Sequence, residues 1–208
     1  MPREFTDAER ERIRERLRET GRDLFARYGL AKTTIADLTD PAGVADSTFY
    51  TFYDSKEALY LELLEEEGEA IADRVVGASF ERHDDPERAI AAFLRTICEA
   101  VETDPLVRRL VVEDELDRLR DRLSDAELAA DRQQSVGYFL PYVEAWHEAG
   151  RLRGPDPETV AHAIRAVTFL TLHEEDVGEE RYAAVRELLV DAVAAGLATP
   201  ADGSPADG

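Results

Sequence analysis

Between Gly29 and Asp54 the chain is punctuated so densely that no long helix or strand can run through it, and this stretch constrains the fold more than any other. Gly29 can cap the end of a preceding helix, because glycine adopts the left-handed backbone there without a steric penalty. Thr33 or Thr34 can cap a short second helix, with Thr34-x-x-Asp37 supplying acceptors for the unpaired N–H groups of its first turn. Asp40-Pro41-Ala42-Gly43 then breaks that helix. A third short helix is expected over about Ala45 to Phe52, and Asp54-Ser55-Lys56-Glu57 opens a long fourth one with a capping-box pattern.

Upstream, a first helix is expected from about Thr6 to Tyr28, where Ile13, Leu17, Gly21, Leu24, Phe25 and Tyr28 recur at spacings of three and four. The fourth helix carries Leu59, Leu63, Ala70, Ile71 and Val75 in the same way, and past Gly77 the charged stretch Glu81 to Asp85 reads as a loop. Pro86 starts a helix with Ile90, Phe93, Leu94, Ile97 and Val101 on one face, and Asp104-Pro105 starts another. Ser124-Asp125-Ala126-Glu127 is a further capping box, opening a segment to Gly150 with a kink expected near Pro141. Gly154-Pro155-Asp156-Pro157 starts a helix bearing Val160, Ile164, Val167 and Leu172; after Gly178 the last helix groups Tyr182, Val185, Leu188, Leu189 and Val193. No strand-like alternation occurs, so the fold class is all-α, of about nine helices. With 208 residues the chain can hold a small domain fused to a larger one. The boundaries expected are 1–56 and 57–198, linked by the long fourth helix, with 199–208 a disordered tail of Pro, Gly, Ala, Ser, Asp and Thr.

Charge is distributed unevenly. The net charge is -21, yet residues 1–56 hold ten basic and eleven acidic side chains, so nearly all the excess negative charge lies in the remaining 152 residues. That asymmetry is the one expected if the N-terminal quarter must approach nucleic acid. Lysine occurs only at Lys32 and Lys56, and arginine supplies the other 23 cations. The composition is haloarchaeal-like, resembling proteins that work in molar salt; an acidic mesophilic protein from a GC-rich genome is the alternative. No apolar run approaches the ~18 residues of a membrane span and the first residues are not signal-like, so a cytoplasmic protein is expected. Cys98 has no partner for a disulfide or metal pattern and reads as a core residue. His83, His147, His162 and His173 are scattered, with no H-E-x-x-H, serine-elbow or glycine-rich phosphate motif. The chain is expected not to be an enzyme and to need no cofactor or metal, and His173-Glu174-Glu175-Asp176 reads as a solvated acidic helix end.

Two short helices joined by a tight glycine-containing turn, behind a longer helix, form a helix-turn-helix unit whose second short helix can enter the major groove of DNA. Leu24-Phe25, Tyr28-Gly29, Thr33-Thr34-Ile35-Ala36, Ala42-Gly43-Val44, Thr48-Phe49-Tyr50 and Ser55-Lys56-Glu57-Ala58-Leu59 resemble the TetR family of transcriptional regulators, in order and in spacing, over roughly residues 10–60. The resemblance implies that Ser47, Thr48, Tyr50 and Thr51 lie on or beside the recognition helix, offering hydroxyls and a ring to phosphates or base edges. It implies that Thr33, Thr34 and the second helix's N-terminus face a phosphate, and that Lys56 is a further backbone anchor. Phe49 is expected in the core, and Tyr53 either in the core or on a phosphate. The chain departs from the family pattern at Ala45, where a serine cap is usual, and at Asp46, where a basic or small residue is frequent. Asp46 would be repelled by phosphate; it can cap the helix or accept from a cytosine amino group. A salt-rich interior makes the missing cations intelligible: at a slope near -0.9 per phosphate, six ionic contacts would lose roughly seven decades of affinity between ~0.15 M and ~3 M salt.

The same resemblance implies a divergent regulatory domain after about Gly77, whose last two long helices pair with those of a second subunit. Val160, Ile164, Val167 and Phe169, with Tyr182, Val185, Leu189 and Val193, can serve as core or as dimer seam. Two-fold symmetry would place two recognition helices on a palindromic operator. Phe93, Tyr138, Tyr142, Trp146, His162 and Phe169 either line a pocket for a small-molecule effector or pack as ordinary core. The function expected is a ligand-responsive repressor acting as a homodimer. The alternative is a helical partner-binding module that keeps the fold without specific DNA binding.

Overall fold

A computed structural model describes residues 5–112 and 133–200. The elements are helices α1 (Asp7–Lys32), α2 (Ile35–Thr39), α3 (Asp46–Phe49), α4 (Lys56–Ala78), α5 (Pro86–Thr103), α6 (Pro105–Val112), α7 (Leu140–Glu148), α8 (Pro157–Val167), a 3-10 segment (Thr168–His173), α9 (Glu174–Val177) and α10 (Glu179–Leu197). No β-strand occurs among the described residues; Leu152 and Ala198 form an isolated antiparallel bridge. No helix among them is long and apolar enough to cross a membrane. The Ser124 capping box and residues 201–208 of the tail lie outside the described residues.

The described chain divides into two compact units, one holding 5–69 with 104–112, the other 70–103 with 133–200. In the first, Thr6 caps α1 through a reciprocal capping box with Glu9. Leu17, Gly21 and Phe25 are buried, whereas Ile13 and Leu24 are partly covered and Tyr28, read from the periodicity as part of the apolar face, is 46% exposed. Gly21 lets α4 approach closely, because a methyl there would meet Leu59 at 3.1 Å and Leu63 at 3.2 Å. The Phe25 and Tyr60 rings meet edge to face at 4.9 Å. Beside this apolar seam runs an ion-pair ladder: Arg14 to Glu62 at 2.9 Å, Arg18 to Glu66, and Arg22 to Glu66 at 3.3 Å. Three arginines four residues apart present one stripe of α1, so the ladder fixes the register of α4 against it. The helical path of α1 breaks at Gly29, with φ of 78°, a backbone that costs an L-residue strain.

In the second unit α5 packs along α10. Arg95 bridges to Glu187 at 2.8 Å and to Asp191 at 2.6 Å, and Glu102 accepts from Tyr182 Oη and from Arg186, each at 2.6 Å. Cys98 is fully buried as expected of a core residue, and burial pushes its thiol up to about 11. Ala70, read as apolar face, is exposed. The helix expected from Pro157 through Leu172 is interrupted. Thr168 donates to the Arg165 carbonyl and Thr171 to the Thr168 carbonyl, both at 2.7 Å, and the backbone tightens to a 3-10 path before the short α9. That division brings the α-helices to ten among the described residues, against about nine expected. On α10 the buried positions are Tyr182, Val190 and Ala194, while Leu188 is 69% and Leu189 39% exposed.

Candidate nucleic-acid interface

The helix-turn-helix is assembled by local hydrogen bonds that its sequence makes obligatory. Thr34 caps α2: its hydroxyl accepts from the Asp37 N–H at 3.2 Å, and the Asp37 carboxylate accepts from the Thr34 N–H at 2.9 Å and hydroxyl at 2.6 Å. Those bonds hold the Asp37 carboxyl below the usual carboxylate range. After α2 the chain turns through Asp40 to Gly43, with Gly43 at φ of 68° and the Val44 N–H donating back to the Thr39 carbonyl at 3.2 Å. Ala45 is the cap of α3 and provides no side-chain bond. Phe49 is fully buried, its ring 5.7 Å from those of Tyr50 and Tyr53, which seats α3 on the core of the first unit.

The structure sorts the expected site residues into three groups. Asp46, Ser47, Tyr50 and Thr51 are exposed on and just beyond α3, Tyr50 at 59%, with Thr48 half-buried; Thr34 is exposed at the start of α2. Thr33 is only 2% exposed, and its hydroxyl and N–H both donate to the Gly29 carbonyl. Tyr53 is 5% exposed and donates to Glu62 at 3.0 Å, with the Arg14 guanidinium 5.7 Å over its ring; burial pushes its phenol up to about 12. Lys56 is partly buried, and its ammonium donates to the Leu30 and Thr33 carbonyls, both at 2.7 Å. It therefore caps the segment that leads out of α1, and the two carbonyls offset the cost of a cation in the first turn of α4.

Asp46 does not cap α3. Its carboxylate accepts from the Thr39 hydroxyl at 2.6 Å, joining the last residue of α2 to the first of α3. Thr39 is itself fully buried, its oxygen also 3.0 Å from the Ile35 carbonyl, and its one hydroxyl proton serves the shorter contact, the carboxylate. Sequence reasoning missed Thr39, because no helical period links positions on two helices joined by a turn. Residues 33–55 hold four carboxylates, Asp37, Asp40, Asp46 and Asp54, and no Lys or Arg.

The residues read as a pocket behave differently from one another. Phe93, Tyr142 and Trp146 meet around Phe80, at 5.2, 5.5 and 5.7 Å between ring centroids, with Phe139 stacked on Phe80 at 5.4 Å. Phe80 and Phe139, which join them, were not singled out from the sequence, since neither lies on the periodic face of a predicted helix. Tyr138 sits on the turn before α7, His162 is partly buried on α8, and Phe169 is 40% exposed with the Arg165 guanidinium 4.9 Å over its ring. His173 and Asp176 are both exposed and 3.0 Å apart, and no group of three or more metal-ligating side chains is gathered among the described residues.

Residues 17–63 match the family described as "Bacterial regulatory proteins, tetR family". No curated protein matches the chain in sequence. Among solved structures the chain is similar to a TetR-family transcriptional regulator from Mesorhizobium loti, with a TM-score of 0.70 and 16% identity over 94% of this chain and 100% of that one. It is similar to another from Pectobacterium atrosepticum, with a TM-score of 0.69 and 22% identity over 92% and 93%. A third is RolR, solved in complex with resorcinol, with a TM-score of 0.64 and 17% identity over 93% and 91%. At such identities likeness establishes the fold, and the segment that builds the interface is the one the family match covers. The segment that builds the helix-turn-helix, residues 17–63, matches the tetR-family model, and the chain as a whole has the fold of the TetR-family transcriptional regulators.

Proposed function

We propose that the chain is a sequence-specific DNA-binding regulator acting in the cytoplasm, a ligand-responsive repressor that meets a palindromic operator as a homodimer. Residues 1–56 serve as its DNA-binding domain and 57–198 as its regulatory and dimerisation domain. The observation that carries this reading is the exposed row Asp46, Ser47, Tyr50 and Thr51 on and just beyond a short helix seated by the buried Phe49, inside the segment that matches the family. Those side chains offer hydrogen bonds and a ring in place of cations, the set that retains affinity when salt suppresses ionic contacts. Dimerisation through the last helices is supported by the exposed Leu188 and Leu189. An aromatic or apolar effector is supported by the ring cluster around Phe80, and by the resorcinol complex of a protein sharing the fold.

The test is binding of the full chain to its own upstream DNA, by fluorescence anisotropy from ~0.2 to ~3 M KCl with a scrambled duplex as control. Specific binding that Tyr50→Ala abolishes, and that falls only shallowly with salt, is the expected result. A folded chain that binds both duplexes equally, or neither, would replace this reading with that of a partner-binding module, which the four uncompensated carboxylates of residues 33–55 favour.

A further inference from the structure

We propose that Asp46 is a specificity-determining residue that accepts a hydrogen bond from the exocyclic amino group of a cytosine in the major groove; this rests on the DNA-binding reading above. Asp46 is exposed at the first position of α3, and among the described residues its hydrogen-bond partner is Thr39. Capping does not account for it, because Ala45 holds the cap position and no side-chain capping bond forms there. Phosphate contact does not account for it either, since a carboxylate is repelled by phosphate and no Lys or Arg in residues 33–55 compensates it. The bond to Thr39 engages one carboxylate oxygen, and what remains for the other, at the head of a recognition helix, is a donor on a base edge.

The major groove offers two such donors, the N4 amino group of cytosine and the N6 amino group of adenine. Adenine sets its amino group beside N7, an acceptor that repels a second carboxylate oxygen, whereas cytosine sets its own beside a C–H. Guanine and thymine present only acceptors at these positions and are repelled. The Thr39 hydroxyl, on a fully buried side chain, holds one carboxylate oxygen at 2.6 Å. One acceptor is thereby fixed in direction and the other left for the base. A free aspartate would sweep several rotamers and discriminate weakly, so the brace from α2 supplies the selectivity.

The experiment is selection from a pool of randomised duplexes by the full chain, as wild type, Asp46→Asn and Thr39→Val. The wild type is expected to enrich a motif with cytosine at one position of each half-site, where any other base weakens binding roughly 5- to 150-fold. Asp46→Asn, whose oxygen accepts from Thr39 and whose amide N–H then faces the base, is expected to move that one preference from cytosine to a base with a major-groove acceptor, leaving the other positions unchanged. Thr39→Val keeps the shape of the buried side chain and is expected to blunt the cytosine preference without moving it. A motif that the wild type and Asp46→Asn share unchanged would overturn the assignment of Asp46 while leaving DNA binding intact. Folded wild type that enriches no motif would overturn both.

Discussion

Replacing Lys56 by methionine separates two roles that the same lysine can play at the start of α4. The substitution keeps the length of the stem and removes the donor, so the Leu30 and Thr33 carbonyls each lose a charge-assisted bond of 2.7 Å. Such a bond contributes about 1.5–3 kcal/mol, so two contribute at most about 3–6 kcal/mol. Two effects reduce the loss. Lys56 is only partly buried, so water replaces some of the bonding, and removing a cation from the first turn of a helix returns about 0.3–1 kcal/mol. The expected net destabilisation is therefore about 2 kcal/mol, read as a lower midpoint in urea at unchanged slope. Lys56→Arg, which retains donors, should lose less. The reasoning fails if Lys56→Met stays within about 0.5 kcal/mol of the wild type while the salt slope of DNA binding shrinks by about one. That pattern belongs to a free phosphate anchor and not to a cap.

Other consequences can be checked as directly. Gly29→Ala places a Cβ at φ of 78° and should destabilise by about 1–3 kcal/mol in the same denaturation assay. Tyr53 keeps its proton in the folded chain up to about pH 12, because burial disfavours the phenolate, whereas in the unfolded chain it ionises near the ordinary value of 10. The folded state thus binds that proton more tightly, and the stability this contributes is present below pH ~10 and lost as pH climbs toward ~12. Tyr53→Phe should flatten that alkaline loss in melts between pH 9 and 12, and an unchanged profile would contradict it. Leu188→Asp, at a site 69% exposed, should leave the protomer folded and convert a dimer to a monomer in sedimentation. An unaltered dimer would place the seam elsewhere.

Much of this protein was legible in its sequence wherever the determining interaction is local. Thr34 with Asp37 closes a capping box at the spacing that backbone geometry dictates, and Gly29 breaks α1 because that backbone favours glycine. Phe25, Leu59, Ile90, Phe93 and Leu94 are buried where helical periodicity puts them. The short third helix followed from the same punctuation, and its hydroxyl row from the resemblance to the TetR family. The tertiary structure decided everything that depends on which faces meet. It placed Thr33 in the interior and Tyr53 against Glu62, and it turned the Lys56 ammonium onto the Leu30 and Thr33 carbonyls, 26 and 23 residues away in sequence. It aimed the Thr39 hydroxyl at Asp46 across a turn, and it gathered Phe93, Tyr142 and Trp146 on Phe80 while leaving Phe169 outside. The reason is physical: a cap or a glycine break is settled within one helical turn, whereas a lysine's partner or a ring's neighbours depend on the packing of residues that no sequence period relates.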